Sequence, residues 1–344
     1  MRLYSCPQCG DPVYFENLSC SCGTEIAYDP DSDRMVADYA PCEKRPEIGC
    51  NWSAAPDAGD CRSCAMTVTH PDLTVARNLE LWSRSEAAKR WVLSNLMSLG
   101  WFGSHDEGRR PTFHLLAEKT ARGAAQPVMG HADGEITINV AEADPVEIIR
   151  RRERMGEPYR TMIGHYRHEL AHFLFARLSA NPAFLEAFRD QFGDETSDYG
   201  QALKRYYETG APDDWIDRHI SAYATSHPHE DWAETAAHVL HLIDVVDSAY
   251  AAGLREGSER PNVADTGKLL SEGIDLGLAL NHVNRSMGLG DVYPFVITPI
   301  VHRKLAFAHR SIVAGPETGT HKARIGNRLQ NSGTDAAWQQ RAAG

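Results

Sequence analysis

The 344-residue chain is long enough for one large domain or for a domain with a small module. Its 42% hydrophobic and 24% charged residues are those of an ordinary globular protein, and a net charge of −12 argues against a general grip on nucleic-acid phosphates. No apolar run approaches the roughly 18 residues that span a bilayer, and "MRLYSCPQCG" lacks the apolar stretch of a signal peptide, so the expected setting is the cytoplasm, without a membrane partner.

All eight cysteines fall between Cys6 and Cys64. In a reducing compartment, cysteines clustered in short pairs read as metal ligands, with disulfides or a redox dithiol as the alternatives. Residues 1–66 are crowded with turn residues and could bury little apolar surface unaided, so metal would have to supply the staple. Cys6-Pro-Gln-Cys9-Gly10 has zinc-knuckle spacing, and Cys20 and Cys22 would complete a first tetrahedron. Cys42, Cys50, Cys61 and Cys64 can build a second, with Cys61-Arg-Ser-Cys64 as its knuckle. The single residue between Cys20 and Cys22 strains that geometry, and the division into first four and last four follows chain order alone. Residues 1–66 carry five Lys/Arg against eleven Asp/Glu, which disfavours nucleic acid and fits a structural or protein-docking role.

Beyond the module, apolar spacing predicts a helix from about Asn78 to Leu99. "HADGEITINV" reads as a turn at Asp133-Gly134 leading into a strand with Ile136, Ile138 and Val140 on one face. "GHYRHELAHFLF" then brings helical periodicity and the pattern H-E-x-x-H. Residues four apart share a helix face, so His168 and His172 can present two imidazoles to one ion. Glu169 projects about 100° away, beside an open metal position, where it can take a proton from a water held there. An amphipathic helix with surface His and Glu would show the same five residues. His165 shares the face as well, but seven residues span roughly 10 Å, too far for three ligands on one ion. It is assigned to the surroundings of the site, either behind the ligands or in the cleft wall.

Residues 173–222 carry helical pattern and could form a lid or a cleft wall. In "SHPHEDWAETAAHVLHL", Pro228 sits where a helix would start, and Glu230 and Glu234 follow at i, i+4. Zinc peptidases with a Glu ligand carry a second acid one turn later, which holds a ligating His through its other ring nitrogen. Glu230 as ligand with Glu234 behind it reproduces that division. His229, Glu234 and His238 are rival third ligands, and acids at a helix N-terminus also have a simple dipole explanation. This helix should run to about Ala252, where Gly253 ends it. Two more are expected at about Gly267 to Met287 and Pro299 to Val313, with "GLGDVYPFVITP" as the loop between them. From Gly315 the chain is polar, and a disordered tail is expected.

His168-Glu169-x-x-His172 followed by Tyr223 and Glu230-Asp231-Trp232-Ala233-Glu234 resembles the Glu-liganded zincins, with the catalytic domain of anthrax lethal factor as the nearest echo. As a whole, residues 1 to about 313 resemble a family of bacterial zinc-binding metallopeptidases with an N-terminal zinc ribbon; "GHYRHE", "EDWAETAAHVLH" and "NRSMGLGDVYPFV" carry the likeness. The resemblance implies His168, His172 and Glu230 on zinc, Glu169 as general base and Tyr223 as oxyanion donor. Two departures stand out: the Cys20–Cys22 spacing, and a gap between His172 and Glu230 wider than in compact zincins. A zincin also needs an edge strand to pair with an extended peptide, and "EITINV" is expected to supply it.

The expected fold is therefore α+β. A mainly helical zincin-like metallopeptidase domain with a small sheet (67–314) follows a zinc-ribbon module with two four-cysteine sites (1–66) and precedes the tail (315–344). The expected function is hydrolysis of a peptide or protein substrate, using one catalytic and two structural zinc ions. The competing class is a zinc-stapled protein-binding module with a catalytically inactive zincin-like domain.

Overall fold

A computed structural model gives the structure of the chain and describes residues 3–155, 157, 159–255 and 257–316. Beyond Pro316, the tail expected to be disordered lies outside the described residues.

The cysteine module is built from very short antiparallel pairs: Tyr4–Ser5 with Pro12–Val13, Ala27–Asp29 with Arg34–Val36, and Ala40–Pro41 with Ser53–Ala54. Strands of two or three residues hold little by themselves. Burial contributes to holding them. Phe15, Ile26, Tyr28 and Trp52 are at most 2% exposed and belong to one hydrophobic cluster that runs from Tyr4 to Val313. Module and domain thus share a continuous core.

Strand β1 (Thr67–Thr69) carries the chain into a four-stranded sheet with β2 (Thr112–Leu116), β3 (Gly130–Ala132) and β4 (Glu135–Asn139), in the order β3-β4-β2-β1. β4 and β1 both run parallel to β2, and β3 is antiparallel to β4. Phe113, Leu115, Ile136 and Ile138 are fully buried and alternate with more exposed neighbours, as a half-covered sheet requires. Asp133 and Gly134 both have positive φ, 48° and 83°, the backbone that a tight two-residue hairpin demands. That hairpin overturns one expectation. "EITINV" is an inner strand, because the turn folds Gly130–Ala132 back over its free side; the sheet edges are β3 and β1.

Helix α1 (Ala76–Ser98) follows the module, and α2 (Pro145–Met155) precedes the H-E-x-x-H helix α3 (Met162–Leu178). The 173–222 stretch continues as α4 (Pro182–Phe192) and α5 (Tyr199–Thr209). Three further long helices, α6 (Pro228–Ala251), α7 (Thr266–Ser286) and α8 (Pro299–Val313), lie close to the expected spans, whereas α2 has no counterpart among the expected helices. α3 packs chiefly on α6, and α6 also packs on α7 and α8. A buried ion pair locks the first of these contacts: Arg167 of α3 meets Asp244 of α6 at 2.5 Å, and Trp91 Nε1 of α1 donates to the same carboxylate at 2.6 Å. No helix among the described residues is long and apolar enough to cross a membrane.

Candidate metal centre

Thr161 caps α3 by accepting from the Gly164 amide at 2.9 Å, which fixes where the helix starts and so which way His168 and His172 face. Pro228 at the first turn and His227 at the N-cap set the start of α6 and the position of Glu230. The crossing of these two helices brings three donors together. His168 Nε2 lies 3.2 Å from His172 Nε2 and 3.1 Å from Glu230 Oε2, and His172 Nε2 lies 3.3 Å from Glu230 Oε1. Donors about 2.1 Å from a tetrahedral ion should stand roughly 3.4 Å apart, so the set fits zinc in both donor type and spacing. The burial of the carboxylate supports the fit: Glu230 is 1% exposed, and the neighbour its Oε2 faces is the His168 imidazole.

Glu234 stands behind the pair. Its Oε1 accepts from His168 Nδ1 at 2.7 Å, and its Oε2 accepts from the Ser221 hydroxyl at 2.7 Å. With the proton on Nδ1, the imidazole presents Nε2 as the free lone pair. The Glu234 pKa is lowered: burial opposes its charge, but the bonds to His168 and Ser221 outweigh it. Glu169 is also buried, and its Oε2 has no hydrogen-bond partner among the described residues. It is not one of the three clustered donors.

The rival ligands lie outside the three-donor group. His229 packs on the Phe175 ring at 4.7 Å, and His238 Nδ1 meets the Tyr293 hydroxyl at 3.1 Å. His165 meets Glu142 at 3.3 Å, within a cluster that also includes Arg151 and Arg160, and it is absent from the three-donor group. Tyr223 places its ring 6.1 Å from that of His168. Burial, with Glu230 and Tyr199 nearby, pushes its phenol pKa up, so the hydroxyl remains a donor at neutral pH.

Besides Ser221, two side chains at the site carry no signal in the sequence. Tyr199 donates its hydroxyl to Glu230 Oε1 at 2.7 Å, and His131 of β3 stacks on His172 with ring centroids 6.2 Å apart. Neither has a spacing relation to H-E-x-x-H that could have flagged it.

Both cysteine quartets also close. Cys6, Cys9, Cys20 and Cys22 form one group and Cys42, Cys50, Cys61 and Cys64 the other, each with its sulfurs within 4.8 Å of one another. Sulfurs about 2.3 Å from a tetrahedral zinc should be roughly 3.8 Å apart. Cys6–Cys22, Cys9–Cys20, Cys50–Cys61 and Cys50–Cys64 lie at 3.8, 3.6, 3.6 and 3.7 Å. Gly23, at φ 85°, turns the chain just after Cys22, which lets both members of the tight Cys20–Cys22 pair reach the first group. In that group Cys9 and Cys22 are exposed, whereas the second is buried throughout.

Residues 3–39 match a zinc-ribbon domain family. Over 326 residues the chain is 38% identical to proteins of Mycobacterium tuberculosis and Mycobacterium bovis, both named only as uncharacterized, with 90% of this chain and 94% of theirs covered. No solved structure matches it. The stretch that holds His168, His172 and Glu230 falls within residues 78–311, which match the family described as "Putative zinc-binding metallo-peptidase", and the chain belongs to that family.

Proposed function

We propose that the chain is a zinc-dependent peptidase that hydrolyses peptide bonds with Glu169 as general base. The observation that carries this reading is the pairing of a two-imidazole, one-carboxylate donor set with a buried, unpartnered carboxylate oxygen on the neighbouring residue. A zinc ion held by His168, His172 and Glu230 would polarise the peptide carbonyl and bring the pKa of a water to about 7. Glu169 accepts the proton of the attacking water and returns it to the leaving amine. Tyr223, kept protonated by its surroundings, donates to the oxyanion that develops on the substrate. Glu234 holds His168 in the tautomer that leaves Nε2 free.

In this reading residues 1–66 are a structural module with two four-cysteine zinc sites, and residues 67–314 are the catalytic domain. Eight free cysteines suit a reducing compartment, and the module's excess of acids suits docking to a protein rather than to nucleic acid.

Treating the purified protein with 1,10-phenanthroline should abolish cleavage of an unbiased peptide library, and adding zinc back should restore it. Cleavage that survives removal of the ion from the His/Glu site, as checked by metal analysis, would contradict the proposal.

A further inference from the structure

We propose that Tyr199 is a positioning residue for Glu230: its hydroxyl holds Oε1 and so fixes the rotation of the carboxylate that faces the metal. This inference rests on the reading of His168, His172 and Glu230 as a metal site.

The two oxygens of Glu230 are not equivalent. Oε1 accepts from the Tyr199 hydroxyl at 2.7 Å and lies 3.3 Å from His172 Nε2, whereas Oε2 has no hydroxyl on it and lies 3.1 Å from His168 Nε2. A carboxylate with both oxygens free can bind an ion through either or both. A charge-assisted hydroxyl bond on one oxygen fixes the rotation of the group, and with it the angle at which the carboxylate meets the ion. Glu230 is 1% exposed, so water has little access to take over the role of the hydroxyl.

The hydroxyl reaches the site from an unusual place. Tyr199 opens α5, whose first turn is capped by Asp198 accepting from the Gln201 amide at 2.9 Å, and no residue of this helix is buried. Gly193 and Gly210 bracket the segment at φ 98° and 75°, backbone that other residues adopt at a cost. The Tyr199 ring itself rests on His227, at 5.1 Å between centroids. A ligand oriented from the core would be insulated from the surface. Here the Glu230 carboxylate is tied to an exposed helix between two glycine turns, so the strength of metal binding depends on where α5 sits. The stretch between H-E-x-x-H and Glu230 thereby completes the metal site.

The inference is tested by a zinc competition titration of the full chain against a chromophoric chelator, comparing wild type, Tyr199→Phe and Glu230→Ala, with far-UV circular dichroism recorded for each. Phe keeps the ring contact with His227 and removes only the hydroxyl. Tyr199→Phe should weaken the His/Glu zinc by about 10- to 100-fold and leave the cysteine-bound zinc and the spectrum unchanged. A general loss of structure would weaken all zinc binding together and would overturn the inference. So would Tyr199→Phe with wild-type zinc affinity but a lowered kcat, because the hydroxyl would then act on the substrate. If Glu230→Ala itself loses no zinc, the metal-site reading fails. If Glu230→Ala loses an ion while Tyr199→Phe binds like wild type, only the positioning role fails.

Discussion

Replacing Glu169 by Gln should leave the zinc content unchanged and slow peptide cleavage by about 10²- to 10⁴-fold, the range expected when a positioned general base is removed. The change is nearly isosteric, and Glu169 is not one of the three clustered donors, so metal binding has no reason to fall. Its Oε2 has no hydrogen-bond partner among the described residues, so neutralising the group strands no buried cation. What is lost is the capacity to accept a proton beside the metal. The measurement pairs metal analysis with the cleavage rate on the same preparation. A rate within a few fold of wild type, with zinc bound, would remove Glu169 from the mechanism.

The second large effect is expected at Cys61. Cys42, Cys50, Cys61 and Cys64 are all buried, and the Cys61 amide donates to Cys42 Sγ at 3.2 Å while Cys61 Sγ accepts from the Cys64 amide at 3.4 Å. Arg90 of α1 is 2% exposed and reaches the same region, with its Nε donating to Asn51 Oδ1 at 2.7 Å. The quartet therefore sits where the module joins α1. Structural zinc sites contribute roughly 10–16 kcal/mol, as much as the roughly 5–15 kcal/mol of net stability of a whole domain. Cys61→Ser should consequently fail to give a folded, soluble chain. Cys22→Ser, at the exposed end of the other quartet, should lose zinc yet keep most of the helical signal. Circular dichroism, limited proteolysis and metal analysis of both variants check the contrast. A folded Cys61→Ser chain with undiminished zinc would contradict the assignment.

The arrangement of the candidate metal centre was largely legible because a helix converts spacing into geometry. Residues at i, i+4 must share a face, so His168 with His172 and Glu230 with Glu234 could be read as pairs before any contact was known. The Asp133-Gly134 turn and the helix from Pro299 to Val313 were legible for the same local reasons. What escaped depends on partners far away in the chain. The sequence shows that "EITINV" is half-buried, but only the pairing of Gly130–Ala132 with it decides which strand lies at the edge. His165 meets Glu142, and Tyr199 meets Glu230, across loops whose path no periodicity encodes. Helix α1 is the sharpest case. Apolar spacing identified its core face, yet Glu86 and Lys89 are also buried, paired with each other at 2.9 Å, and Arg90 is buried beside Asn51. A hydrophobicity pattern treats such residues as solvent-facing. Arg90 is buried where the module packs over α1, whereas Glu86 and Lys89 are buried against Thr67 of β1, and each charge finds a partner there.

The central claim is that His168, His172 and Glu230 hold an ion separate from those of the cysteine quartets. Counting zinc per chain in wild type and in Glu230→Ala tests it most directly. The expected result is about three ions in wild type, one for each donor group, and one fewer in the variant with both quartets still filled. Equal zinc in the two proteins would contradict it.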